Sequence, residues 1–290
     1  MSDQAEKLRE IAKDAGVRPP APMKKPSGGR CVSIAVTSGK GGVGKTTLAL
    51  ILAASLAKLQ KKVLLMDADL GLANVHILLG IAPRFNISHV VSGECGIDDI
   101  MVEAAPGVFL APGASGLEQL ANLDAGRLER LRMDFMGLEE RYDYLLMDTG
   151  AGIGSTVTGF ARCADMALLV MTPDPSSLAD AYAMVKVLYE KGSGNIAVVV
   201  NTVSGEREGR EAFDRLNTLV VRFLKKPVEL YAILPNDGEV QRLGRRQAHL
   251  SSPKAGSRFY ALAGVLAKKI DVGGPVVAGG GFFARFLGGV

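Results

Sequence analysis

Six short, nearly continuous apolar runs rich in β-branched residues recur along the chain, at residues 32–37, 63–66, 144–147, 166–171, 196–200 and 230–234. Continuous rather than alternating hydrophobicity is the pattern of a strand buried on both faces, so these runs predict the strands of a parallel sheet covered by helices. Between them, apolar residues at helical spacing predict helices over residues 47–59, 128–139, 176–189, 210–224 and 257–269. Strand and helix alternating in this way predict an α/β fold with a single doubly wound, mostly parallel sheet and helices on both faces. The chain shows no internal repeat.

The two ends read differently from the body. Residues 3–15 predict a short helix with Ala5, Leu8, Ile11, Ala12 and Ala15 at helical spacing. Residues 16–29 contain Pro19, Pro20, Pro22 and Pro26, which cannot hold a helix or a central strand, and read as an extended linker. The body then covers residues 30–270, and the Gly- and Val-rich residues 271–280 read as a flexible tether. In the last segment, residues 281–290, Phe282, Phe283, Phe286, Leu287 and Val290 share one helical face and Arg285 lies off it. An aromatic face of this kind suits a lipid surface, though a helix so short is unstable alone in water and one copy binds weakly. A nearly absent basic face leaves open that the segment docks on its own protein.

Composition narrows the classes without choosing among them. Of the 290 residues, 48% are hydrophobic, enough to fill a core, so disorder of the whole chain is excluded. A net charge of +4 falls short of a nucleic-acid footprint. The three cysteines, Cys31, Cys95 and Cys163, stand far apart and support neither a disulfide framework nor a metal site. No apolar run approaches the ~20 residues needed to span a bilayer, so the expectation is a cytoplasmic protein that meets a membrane only from its inner surface.

The strongest chemical signal follows the first strand, where Gly39-Lys40-Gly41-Gly42-Val43-Gly44-Lys45-Thr46 leads into a helix. Strand, glycine-rich loop and helix is the context of a P-loop. The glycines let backbone N–H groups face phosphate oxygens, the helix N-terminus favours negative charge, Lys45 places a cation beside the β and γ phosphates, and Thr46 ligates magnesium. Two further sites end predicted strands, where open α/β sheets place ligands. Asp67-Ala68-Asp69 follows the second strand, and Asp148-Thr149-Gly150 ends the run at 144–147 as a Walker B aspartate does.

The second lysine of the loop begins a resemblance. Lys40 to Thr47 resembles the deviant Walker A motif of the MinD/ParA family of P-loop ATPases, in which the extra lysine reaches across an ATP-sandwiched homodimer. The resemblance implies that Lys40 contacts the partner subunit's phosphates, that Asp69 orients the attacking water and stands near magnesium with Thr46 and Asp148, and that Asn74 belongs to switch I. It also implies adenine and ribose contacts from Asn201 and from Pro235-Asn236-Asp237, and a slow, switch-type hydrolysis of ATP.

Within that family the ends of the chain resemble the flagellum-number regulators (FlhG, also called FleN). Asp3-Gln4-Ala5-Glu6-Lys7-Leu8-Arg9 is similar to their N-terminal activator motif, and the run from Thr172 to Tyr182 also resembles this branch. That likeness implies stimulation of the SRP-type GTPase FlhF through Asp3, Gln4, Ala5, Leu8 and Arg9, contacts with flagellar basal-body or regulatory proteins, and anchoring of the C-terminal helix to anionic membrane. Two rival readings share the fold: a MinD-type division-site ATPase, and a ParA-type DNA-segregation ATPase. The second would want clustered cations, whereas Arg242, Arg245 and Arg246 form the one tight group, so no nucleic acid is expected as a partner.

Overall fold

The computed structural model describes residues 30–69, 74–113, 125–238, 240, 257–273 and 280–288. The activator-like motif and linker at residues 1–29 lie outside the described residues, as do Leu70 to Ala73 between Asp69 and Asn74.

Eight strands form one sheet in the order β3-β4-β2-β5-β1-β6-β7-β8. They are β1 (Val32–Ser38), β2 (Val63–Ala68), β3 (Val102–Ala105), β4 (Val108–Ala111), β5 (Tyr144–Ala151), β6 (Met166–Met171), β7 (Ile196–Val203) and β8 (Glu229–Pro235). All neighbours pair in parallel except β3 and β4. The order places β1 at the centre between β5 and β6, so chain crossovers run outward from it in both directions. The helices are α1 (Lys45–Lys58), α2 (Val75–Leu79), α3 (Ile87–Ser92), α4 (Ala125–Glu139), α5 (Ser155–Cys163), α6 (Pro175–Glu190), α7 (Glu206–Leu224), α8 (Arg258–Gly273) and α9 (Phe282–Leu287), with a 3₁₀ turn at Ile97–Ile100.

Successive strand side chains point to opposite faces, and this alternation divides the core into two clusters. Ile34 and Val36 of β1 and Leu65 of β2 pack with α1, α2 and α8. Ala35, Leu64 and Met66 pack on the other face with α3 to α7 and α9. The central strands are fully buried on both faces, which is why their sequences show no polar alternation.

All six predicted strands and five predicted helices are present, with ends shifted by a few residues. Of the expected tether, residues 274–279 lie outside the described residues and the first three residues are helical. Residues 271–273 complete the last turn of α8, because Asp271 accepts a hydrogen bond from the Tyr144 hydroxyl at 2.9 Å and pairs with Lys61 at 2.9 Å. The C-terminal segment departs from expectation in placement. α9 packs in a groove between α4 and α5, with Phe282, Phe283 and Leu287 buried and Phe286 half-buried, rather than displaying its aromatic face. Phe286 stacks on Phe160 of α5 at 4.7 Å, and Phe283 meets Phe135 of α4 at 4.7 Å. No described helix is long and apolar enough to cross a membrane.

Candidate functional site

The C-terminal ends of β1, β2 and β5 meet at the middle of the sheet, and each delivers one part of the site. Register fixes this: Asp148 of β5 lies beside Val36 of β1 and beside Asp67 of β2. Between β1 and α1 the loop turns on Gly42 and Gly44, at φ +78° and +92°, a left-handed backbone that favours glycine. Gly39 is required for a different reason. A Cβ there would stand 2.2 Å from the Asp180 carbonyl oxygen, so the loop rests directly on the α6 backbone.

Lys45 is buried and its ammonium donates to the Ser38 hydroxyl at 2.9 Å, which in turn donates to the Lys40 carbonyl at 2.6 Å. Burial lowers the Lys45 pKa, and the nearby carboxylates Asp148 and Asp69 act in the opposite sense. Asp148 is 2% exposed and bonded to the Thr46 side chain, yet its Oδ1 has no hydrogen-bond partner among the described residues. Burial raises its pKa to about 7, with Thr46 pulling the other way. A buried, unsatisfied carboxylate oxygen is costly unless something arrives to use it. Together with the Thr46 hydroxyl it fits a hydrated magnesium ion, a hard cation that takes oxygen ligands and keeps several waters.

Asp69 lies against the end of β5, since a Cβ on Gly150 would stand 3.4 Å from its Oδ1. Asp67 has a separate task. Its carboxylate accepts from Val75 N at 3.0 Å and from Asp69 N at 3.3 Å, clasping both sides of switch I, and burial raises its pKa. Asn74 is the N-cap residue of α2 without a side-chain cap hydrogen bond.

Lys40 does not join Lys45. Its ammonium pairs with Asp174 at 3.1 Å and with the Ser176 hydroxyl at 2.6 Å, at the start of α6. Hydrogen bonds from Ser176, Thr172 and the Ser177 backbone, with Lys40 adding a smaller share, hold Asp174 well below the usual carboxylate range. An open cavity of about 620 Å³ extends from Lys40 and Gly42 past Asp174 to Thr202 and Glu208. Asn201, Pro235 and Asp237, the residues expected at the base and ribose, are engaged within the chain. Asn201 is buried and donates to the Val43 carbonyl at 2.8 Å, holding the phosphate loop from behind. Pro235 ends β8 opposite Val203, and Asp237 accepts from the Ser257 hydroxyl at 2.7 Å.

Lys45, Thr46, Asp69 and Asp148 lie together at the C-terminal ends of the central strands, whereas Lys40 turns away to the start of α6. Ser38, Asp67, Asp174 and Ser176 carry site contacts that the motifs did not assign, although Asp174-Pro175 ahead of an apolar run is a legible helix start. Among the described residues no group of histidine, cysteine and carboxylate side chains gathers as a metal-binding cluster.

A family model, the CobQ/CobB/MinD/ParA nucleotide binding domain, matches residues 34–250. The chain belongs to this MinD/ParA family. Antiactivator FleN of Pseudomonas aeruginosa is 36% identical over 82% of this chain and 85% of its own length. The flagellum site-determining protein YlxH of Helicobacter pylori is 35% identical over 88% and 89%. Among solved structures, the cell division ATPase MinD of Pyrococcus furiosus superposes with a TM-score of 0.66 at 27% identity, over 83% of this chain and 98% of that one. Membership makes the chain a MinD-like, nucleotide-binding ATPase.

The raised Asp148 pKa has a measurable consequence. A native pKa above the ordinary carboxylate value of 3.8 favours the folded, nucleotide-free protein below about pH 4, and that contribution is lost as pH rises through about 7. If Asp148 holds magnesium, the ion would need the ionised carboxylate, so binding below pH 7 would release its proton. Calorimetry of Mg-ATP binding in buffers of different ionisation enthalpy is expected to show up to about one proton released at pH 6 and almost none at pH 8. Equal proton release at both pH values would show that Asp148 is already ionised.

Proposed function

We propose that this chain is an ATP-driven switch that sets the number or placement of flagella: ATP closes a homodimer, the dimer associates with membrane, and slow hydrolysis reverses both. The flagellar reading is carried by the likeness to FleN and YlxH over most of all three chains. Lys40 supports the dimer. It stands at the rim of the site on Asp174 and Ser176 rather than on the phosphate side of its own loop, where a second subunit can receive it.

In this reading Lys45 and the backbone of residues 39–46 hold the phosphates. Thr46 and Asp148 hold magnesium, which neutralises developing charge on the phosphates when bound. Asp69, held beside Gly150, positions the attacking water, and in-line placement rather than covalent chemistry supplies the rate. Asn201, Pro235 and Asp237 border the base and ribose. Lipid contact falls to the aromatic face of α9, which must first leave its groove.

The flagellar branch further assigns residues 3–9 the stimulation of FlhF, with Leu8 as apolar anchor, Arg9 meeting charge near the partner's nucleotide and Gln4 placing water or phosphate. A segment this short offers little surface, so the contact is expected to be modest in affinity and concentrated in few residues. A synthetic peptide of residues 1–16 should raise GTP turnover by FlhF. Gln4→Ala and Arg9→Ala should reduce that stimulation while leaving ATP hydrolysis by the full chain unchanged. A peptide without effect, at concentrations well above those at which the full chain stimulates, would favour a division-site role instead.

A further inference from the structure

β8 ends the sheet, so its outer edge has no strand beside it. An open edge is a template for another chain, and proteins blunt such edges when they do not use them. Here the blunting covers only the start of the strand. Lys269 of α8 donates to the Leu230 carbonyl at 3.0 Å, pairs with Glu229 at 2.9 Å and lies 4.0 Å from the centre of the Tyr231 ring. The register against β7 passes over Tyr231, an extra residue that disturbs the ladder there. Among the described residues no side chain donates to the backbone of β8 from Ala232 onward.

A cavity of about 360 Å³ opens along that stretch, lined by α7 and α8 as well as by β8. Ala232 and Ile233 of β8 and Leu262, Val265 and Leu266 of α8 make its wall apolar, and Val265 is 62% exposed. Two cations join them. α7 approaches β8 so closely that a Cβ on Gly209 would stand 2.4 Å from the Ile233 side chain, and the next residue, Arg210, lines the cavity. Ser257 donates to Asp237 just past β8 while Lys269 reaches the start of the strand, so α8 runs back along β8 and its first residue, Arg258, stands at the C-terminal end of the groove. Arg210 has Glu206 at 3.4 Å, an exposed pair that screening leaves weak, and among the described residues Arg258 has no ion pair.

We infer that this groove docks an extended acidic segment of a partner protein, which adds as a ninth strand beside β8 and sets a carboxylate against Arg210 and Arg258. The free ladder edge supplies backbone hydrogen bonds whatever the sequence, while the apolar wall selects alternate side chains. Two guanidiniums at one end then choose an acidic residue and fix the register, because charge-assisted bonds to carboxylate are the strong ones. A helical segment has already used its backbone groups internally and would leave the edge unpaired, so an extended one is the occupant that fits. The three residues from Tyr231 to Ile233 span about 10 Å, which matches a contact of three or four residues.

The probe is an acetylated, amidated peptide, Ser-Val-Thr-Val-Asp-Ser, added at millimolar concentration to the nucleotide-free full chain. Amide hydrogen exchange should slow at least about tenfold in β8 and stay unchanged in β3, the strand at the opposite edge. Anisotropy of the fluorescein-labelled peptide should give about tenfold weaker binding when asparagine replaces its aspartate, and again for the Arg258→Glu chain. Arg258 is exposed, so that variant should keep the parent's melting temperature. A fully N-methylated peptide should not bind, since it has no N–H groups for the ladder. Unchanged exchange in β8 would overturn the proposal, and so would equal binding of the aspartate and asparagine peptides. Pro235 lines the cavity too, so loss of peptide binding on adding Mg-ATP would assign the space to the proposed base site and overturn it as well. Retained binding with Mg-ATP present supports a separate docking edge.

Discussion

Lys45→Ala is expected to lower Mg-ATP affinity by at least about a hundredfold, while Asp69→Ala leaves it within a few-fold and halts hydrolysis. The division follows from what each side chain faces. Lys45 is buried at the base of the phosphate loop, where a cation is weakly screened and its charge-assisted hydrogen bonds to phosphate are worth about 1.5–3 kcal/mol each. Losing it costs both the charge and its bonds, and about 2.7 kcal/mol already corresponds to a hundredfold. Asp69 lies beside Gly150 at the end of β5, so on the proposed reading its removal spares the phosphate cradle and takes away only the group that places water. Calorimetry for binding and phosphate release for turnover read the two effects separately. Equal loss of binding in both variants would mean that Asp69 acts in the ground state, as a magnesium ligand rather than a positioning base.

The same site shows how much of the molecule was legible beforehand. Lys45 and Asp148 were readable because backbone periodicity and motif coincide: a continuous apolar run of four to seven residues followed by glycine or aspartate can end only at the C-terminal edge of a buried parallel strand. The strands β3 and β4 were not readable. Each is four residues long, and Pro106-Gly107 between them, with Gly107 at φ +81°, reads as a loop. α5 was missed for another reason, since its Ser155, Thr156, Val157, Thr158 and Gly159 are poor helix formers and tertiary packing of Phe160 decides the issue.

Long-range contacts were the least legible. The aromatic face of α9 has the same periodicity whether it meets lipid or protein, and only the coincidence of Glu139 and Asp165, 144 and 120 positions away from the residues they hold, shows where it rests in this structure. Likewise, nothing local to Lys40 reveals that its ammonium lies on Asp174, because the pair spans 134 positions and is made by the fold.

That pair gives the second large effect expected. Lys40→Ala should leave ATP binding nearly intact yet abolish the ATP-dependent dimer, measured by sedimentation velocity in the hydrolysis-blocked Asp69→Ala chain. The Lys40 ammonium bonds to Asp174 and Ser176, and its backbone carbonyl, which accepts from Ser38, is kept by alanine, so the cradle of its own subunit should survive the loss of the side chain. Its position at the rim, 3.1 Å from Asp174, leaves it free to exchange one anion for another across an interface. Asp174→Asn isolates the opposing term. Asparagine is as good an N-cap as aspartate, so the bond from Ser177 N that starts α6 is retained while the charge holding Lys40 is removed. Because the Lys40–Asp174 pair is partly exposed at 41% and 43%, screening limits its worth to about 0–1 kcal/mol, and Asp174→Asn should strengthen dimerisation by no more than about fivefold. The two substitutions thus move one equilibrium in opposite directions and by very different amounts. If Lys40→Ala dimerises with ATP as well as its parent, the lysine is a solvated loop residue that rests on Asp174, and closure of the dimer must be sought in the switch loops instead.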